Sequence, residues 1–546
     1  MTSSPLFSTL SNAYRQQPYW LKTLATWSFL IALMAGLASG LLTWPHEDEA
    51  NYLIQARWIA EGQVPYRDFF EFITPAGQYL TSLLYQSVGF TIIGIRFLVL
   101  AGWIIEIVLL FKLARLFMPL HWCWLMAAFL WATDTRYIVH QHHFWSGFCV
   151  LLATYFACHY VQYKHQKYLV LSGILAGLAP WITQSSGVLG LLGFGIFCIL
   201  TQQQSLKTWL RYWLLPALGV SVFWIILLLT QGAWPDFWQD AVLWLWHGNY
   251  TKTTQVGYFV TLGEELHTTI LPLLHPLSWP TKLFYAFRLP IALQLLLLAG
   301  LPLLGILGNG WQLWQQHLKQ PVKPPQQILL LVTLNAAMMV LATCSYSTSM
   351  HLTSNGGLGL LCGFIVLQSL FAHAQWPLIS GWVLYALFQI QAVLGSVVIL
   401  AVGTWFPSLS TLPYDTMVYS YGPDAAQQYL NTVWYLNDAH QKEETVFTFS
   451  QSQSLYLASP AKNATRFRLV LPVYTTRQQQ AEILEDLQKN QPLYIINDQS
   501  MTTIGRDHRF TQYSAKELHL PGIESFIQSH YQLLNQHDRY LIYRRR

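Results

Sequence analysis

The sequence predicts an α-helical multi-pass membrane protein that ends in a small α/β domain. Three observations lead there. The chain has 546 residues, of which 53% are hydrophobic and only 10% charged, whereas soluble domains carry about 25% charged residues. Apolar runs recur as far as residue 402, most of them near the roughly 20 residues a helix needs to cross a bilayer. After Phe406 the charge becomes near-balanced and short β-type runs replace the long apolar ones. The chain therefore divides into a membrane domain over 1–402 and an extramembrane domain over 403–546.

The apolar runs fall near 24–44, 92–111, 119–133, 144–163, 168–183, 186–201, 212–230, 284–307, 327–344, 355–372 and 376–402, which makes about eleven spans. Basic residues in short connections set the orientation. Arg15 and Lys22 precede the first run, and Lys112 with Arg115, Lys164 with Lys167, Lys207 with Arg211, and Lys319 with Lys323 occupy alternate loops after it. Those loops belong to the cytoplasm. Segment 45–91, the loop Asp134 to His143, the loop 231–283 and everything after Gly403 then lie outside.

Within the first external segment, Tyr52, Leu53, Ala56, Ile59 and Ala60 form a helical stripe too short and polar to span, so it should lie flat at the interface. Segment 75–90 repeats the pattern with Leu80, Leu83, Leu84 and Val88. The external segment 234–250 carries Trp234, Phe237, Trp238, Trp244 and Trp246, a headgroup-level composition. In the C-terminal part, strands are expected at 445–449, 467–471, 493–496 and 540–543, with helices over 424–437 and 476–489.

Composition also excludes function classes. The net charge of +5 comes from scattered Lys and Arg, without the stripe that nucleic-acid binding requires. The six cysteines, Cys123, Cys149, Cys158, Cys198, Cys344 and Cys362, sit in or beside apolar runs without metal spacing and read as small buried hydrophobes. A transporter or lipid flippase would place ionisable groups inside its spans, and Glu106 is the clearest of the few here. A non-catalytic assembly protein is the other alternative, which only a test of activity separates.

The residues that carry chemistry cluster just after the first run, in His46-Glu47-Asp48-Glu49 and in Gly62-Gln63-Val64-Pro65-Tyr66-Arg67-Asp68-Phe69-Phe70-Glu71. Acids at a helix start complement the macrodipole, and Asp48 would serve as an N-cap. A cap also fixes a carboxylate's direction, so a catalytic base at the same position is compatible with it.

An Asp-Glu pair beyond the first span, a flat helix, then G-x-x-P-Y-x-D-F-x-E-x-x-x-P resembles the GT-C superfamily of membrane glycosyltransferases. That superfamily includes protein O-mannosyltransferases, lipid A aminoarabinose transferases and the related bacterial family-39 enzymes. The resemblance covers the whole chain. It implies transfer of a sugar from a polyprenyl-phosphate donor to a lipid, glycan or protein acceptor outside the cytoplasm of a bacterial inner membrane. Asp48 matches the base of the family motif and Glu49 its partner, in an inverting single displacement. Asp134 matches a further acid of the second external loop. Glu71 resembles an acid that holds a divalent metal in the aminoarabinose transferases, although Phe72 stands here where they have Lys. Asp236-Phe237-Trp238 with His247 resembles the segment of their second metal ligand. The resemblance thus implies a Glu71–His247 pair for one zinc or manganese ion. Arg67, Arg136 and His351 are candidates for the donor phosphate, beside the plain reading of interface residues, which applies equally to His140, His142 and His143.

Overall fold

The computed structural model describes residues 47–134, 140–201, 206–247, 279–317, 323–344, 349–371, 423–449, 453–471, 474–499, 519–537 and 540–546, with Thr23, Trp27, Leu30 and Met34 as isolated helical positions. Two short helices come first, α1 (Glu47–Ala60) and α2 (Ala76–Ser87). The apolar helices follow: α3 (Ile92–Ala114), α4 (Leu120–Asp134), α5 (His142–Tyr163), α6 (Gln166–Ile182), α7 (Gln184–Thr201) and α8 (Leu206–Thr230). After the helical segment α9 (234–246) come α10 (Trp279–His317), α11 (Pro324–Thr343) and α12 (Ser349–Phe371).

Seven of these are long and apolar enough to cross a membrane, namely α3, α5, α7, α8, the Leu296–Gln315 part of α10, α11 and the His351–Phe371 part of α12. The chain is an integral membrane protein. Two further expected spans appear as shorter helices, since α4 is apolar only over Leu120–Thr133 and α6 has 17 residues. The first and last expected runs, and the expected boundary at 402, lie outside the described residues.

Small residues let the spans approach closely. A Cβ on Gly173 of α6 would collide with the Trp213 carbonyl oxygen of α8, and one on Gly177 would strike the backbone of Ala217. Trp213 Nε1 donates to Ser172 Oγ at 3.2 Å in the same contact. Four cysteines are buried, as expected, while Cys198 is half-buried and Cys344 exposed.

In the C-terminal part, α13 (Pro423–Gln441), β1 (Thr445–Phe449), α14 (Gln453–Leu457), β2 (Lys462–Asn463), α15 (Arg477–Asn490), β3 (Tyr494–Asp498), α16 (Pro521–His530), β4 (Tyr531–His537) and β5 (Tyr540–Arg545) follow in order. The sheet order is β2-β1-β3-β5-β4. β1 runs parallel to β2 and β3, with Val446 opposite Tyr494, and β5 closes antiparallel with Ile542 opposite Ile496. The central strands β1 and β3 are buried at four of five positions each, because both their faces are covered.

Expected strand 467–471 does not form. Thr465 Oγ1 and Asn463 Nδ2 both donate to the Phe467 carbonyl at 2.8 Å, which leaves the segment irregular with Arg466 and Arg468 projecting from it.

The two parts share a core. Leu53, Ile54 and Trp58 of α1 pack in one cluster with Tyr429, Leu436, Leu455 and Ile542 of the C-terminal part. In a second cluster, Phe70 and Trp244 join Phe447, Phe467 and Ile495. Here α1 departs from the expected stripe. Ala50, Leu53, Ile54, Gln55 and Ala56 are all 0% exposed, because the C-terminal part covers the face that a free interfacial helix would give to water. Arg57 fastens that cover by donating to the carbonyls of Tyr456 at 2.7 Å and Ser459 at 3.1 Å.

Gly173→Ala should separate α6 from α8 and destabilise the protein by about 1–3 kcal/mol, the usual cost of overpacking. Thermal unfolding in detergent, followed by fluorescence-detected size exclusion, should show a lowered midpoint. An unchanged midpoint would mean that the contact is not tight.

Candidate active site

Glu49 lies in the first turn of α1, with its carboxylate fully buried. Arg96, near the start of α3, donates to it from Nη2 at 2.6 Å and from Nε at 3.1 Å, and the His140 backbone N–H adds a third bond at 3.2 Å. The side chains are 0% and 1% exposed, so neither charge could remain without the other. Removing one partner of such a pair costs about 3–5 kcal/mol. Arg96 was missed in the sequence, although a lone arginine just inside an apolar run is itself a signal.

His140 is neutral. Trp145 Nε1–H donates to its Nδ1 at 3.3 Å, so Nε2 carries the proton toward Thr81 Oγ1 at 2.6 Å. Burial pushes the ring down to about 4, against the pull of Glu49. Tyr52 of α1 rests on His140 and His142, with ring centroids 6.1 and 5.4 Å away.

Behind them is a polar seam between α5 and α12. His143 stands 3.9 Å from His142 and 4.3 Å from His351 in ring centroids. The segment that begins at Thr183 proves to be a junction. Thr183 Oγ1 bonds His142 Nδ1 at 2.7 Å, Gln184 Nε2 donates to the Phe72 carbonyl at 2.8 Å, and Ser186 Oγ donates to Asn355 Oδ1 at 3.3 Å.

Glu71 is 1% exposed. Its Oε1 accepts the backbone N–H groups of Phe72 at 2.8 Å and Ile73 at 3.0 Å. Its Oε2 accepts Gln55 Nε2 and, at 3.0 Å, Arg468 Nη2. Burial raises the Glu71 carboxyl, while Arg468 and the two N–H groups pull it back. Burial likewise lowers Arg468 to about 10, with Glu71 opposing.

The metal reading meets this geometry. Both Glu71 oxygens are already taken by donors, and a dication there would sit beside a guanidinium. The residues present do not fit a divalent ion. His247 is exposed at the end of α9, whose Trp244 packs on Phe70 and Phe72. Among the described residues, no group of three or more His, Cys, Asp or Glu side chains is placed to hold a metal.

The remaining candidates scatter. Arg67 is exposed, paired with Asp68 at 2.8 Å, and donates to the Gln231 carbonyl at 2.9 Å. The Arg67 hydrogen bond holds Asp68 below the usual carboxylate range. Asp48 occupies the first turn of α1 and Asp134 ends α4, but their side chains, like the whole of Arg136, lie outside the described residues.

No family model matches the sequence, and neither does any curated protein. Among solved structures, ArnT from Cupriavidus metallidurans in the apo state aligns with TM-score 0.54 and 13% identity, over 96% of this chain and 98% of that one. The same protein bound to undecaprenyl phosphate aligns with TM-score 0.52 and 12% identity, over 96% and 97%. The chain has the GT-C fold. A structure of the Archaeoglobus fulgidus oligosaccharyltransferase tethered with an acceptor peptide aligns with TM-score 0.49 and 14% identity, over 93% of this chain and 72% of that one. The expected superfamily resemblance is met at the level of fold by the two ArnT alignments.

The His140 environment has a pH consequence. Its pKa is about 4 folded against 6.5 unperturbed, so between those values the unfolded chain binds more protons and stability falls as pH drops. His140→Gln, which keeps both hydrogen-bonding directions, should flatten that acid-side fall. Thermal midpoints across the window check this, and an unchanged slope in the variant would assign the loss to other groups.

Proposed function

We propose that this chain is a GT-C glycosyltransferase that moves a sugar from a polyprenyl-phosphate donor to a lipid, glycan or protein acceptor. In this reading it works at the outer face of a bacterial inner membrane, with a cytoplasmic N-terminus and a periplasmic C-terminal domain. The observation that carries the proposal is the acid pair at the start of α1 within this fold. Glu49 is locked to Arg96 and the His140 N–H, which fixes the turn on which Asp48 stands. Successive residues of an α-helix are offset by about 100°, and the two acids have different tasks in this reading.

Asp48 is the base. It takes the acceptor's proton as the acceptor oxygen or nitrogen attacks the anomeric carbon, and the bond from that carbon to the phosphate oxygen breaks on the opposite face. The polyprenyl phosphate leaves with the electron pair, and the anomeric centre inverts. Phosphate is a good leaving group, so positioning and one base suffice. Glu49 orients. Of the phosphate candidates, His351 is the best supported, because it is 5% exposed and packs against His143, whereas Arg67 is committed to Asp68. Asp134 and Arg136 keep their proposed parts as a second acid and a phosphate contact of the external loop.

Asp48→Asn should retain the fold, since Asn caps a helix about as well as Asp, and should lower transfer at least ~10²-fold. The measurement is undecaprenyl phosphate released in proteoliposomes from a panel of undecaprenyl-phosphate hexoses and pentoses, at matched protein. Normal transfer by the variant would reduce Asp48 to a cap.

A further inference from the structure

Glu71 was the residue from which a metal was expected, and the structure puts a guanidinium beside it from the opposite end of the chain. Arg468 is 3% exposed. Its Nε donates to Asn51 Oδ1 at 2.5 Å, its Nη1 to the Phe70 carbonyl at 2.9 Å and its Nη2 to Glu71 Oε2 at 3.0 Å. Trp58 and Phe69 flank the guanidinium, with centroids 5.7 and 5.4 Å away. The planar fork spreads its donors over three nitrogens and so reaches three acceptors on two segments at once, a span that the single nitrogen of a lysine does not cover.

Those two segments are the ones that matter. Asn51 is on α1 three residues after Asp48, one turn away on the same side of the helix. Glu71 closes the second acidic motif. Arg466, two residues before Arg468, extends the clamp. It donates to Asp240 Oδ2 at 2.6 Å and to the Tyr66 carbonyl at 3.2 Å, and its own carbonyl accepts the Phe70 N–H at 2.9 Å. Residues 466–468 therefore run along 66–71 as a connected strip of bonds.

We propose that Arg468 is a positioning residue supplied by the C-terminal domain, an internal cation that satisfies Glu71 in place of a divalent metal and fixes the turn of α1 bearing Asp48. The assignment of Asp48 as base is the reading this rests on. The C-terminal domain is then part of the site, and transfer proceeds without a metal at Glu71.

The test uses the full chain in nanodiscs. Elemental analysis after purification with zinc or manganese present should find neither ion in stoichiometric amount, and transfer should continue unchanged in chelator. Arg468→Lys keeps the charge but loses the fork. It should elute like the wild type and lose about 10²-fold in kcat with KM little changed, the scale of a ~1 Å misplacement. If that variant does not fold, the charge-neutral Glu71→Gln/Arg468→Met pair, which leaves no lone buried charge, is read in its place with the same expectation. A stoichiometric ion that Glu71→Gln releases would overturn the proposal. So would wild-type kcat in the variant that is read. Metal content needs no turnover, so that arm decides even where Asp48→Asn or a missing donor defeats the transferase reading.

Discussion

Two carboxylates buried between the membrane helices and the C-terminal part each meet a guanidinium, and the site is arranged around those two pairs. Glu49 meets Arg96, which belongs to the first described span, and Glu71 meets Arg468, which belongs to the C-terminal part. Glu49 ties α1 to Arg96 of α3, and Arg468 ties α1, through Asn51, to the segment that carries Glu71. Continuum arguments make buried ion pairs poor sources of net stability, so their value lies elsewhere. They leave one arrangement of α1, the 66–73 segment and α3 in which no charge is stranded. Under the proposed transfer, which has to hold a donor headgroup and an acceptor in register, such uniqueness matters more than free energy.

Much of the fold was legible from periodicity. Runs of apolar residues marked the spans from α3 to α12, and the 3.6-residue stripe marked α1 and α2 although neither can cross a bilayer. Strands β1, β3 and β5 showed as short apolar runs. What was not legible depended on contacts distant in sequence. Residues 467–471 alternate like a strand, but local hydrogen bonds to Phe467 and the anchoring of two arginines in the other domain override the pattern. β4 is an edge strand, mostly exposed, and so lacks the apolar alternation that would reveal it.

The candidate site was legible in its acids and not in their partners. Asp48, Glu49 and Glu71 stand out because three acids and a Pro-Tyr-x-Asp segment are unusual beside a span. Arg468 has no local signal, since it lies 397 residues from Glu71 in a stretch that otherwise resembles a strand. The difference changes chemistry as well as structure. A carboxylate with a vacant face invites a metal, whereas the same carboxylate filled by two backbone amides, a carboxamide and a guanidinium does not.

The shared core of α1 and the C-terminal domain also sets an order in time. A ribosome releases α1 long before β5, and until β1, α14 and β5 are made, Leu53, Ile54 and Trp58 lack their partners in the C-terminal part. Glu71 meanwhile waits for a countercharge that lies 397 residues downstream of it. The newly inserted helices are therefore unfinished until the C-terminal part packs on them. A stop between α12 and β5 would leave every described span in place while stripping α1 of part of its cover.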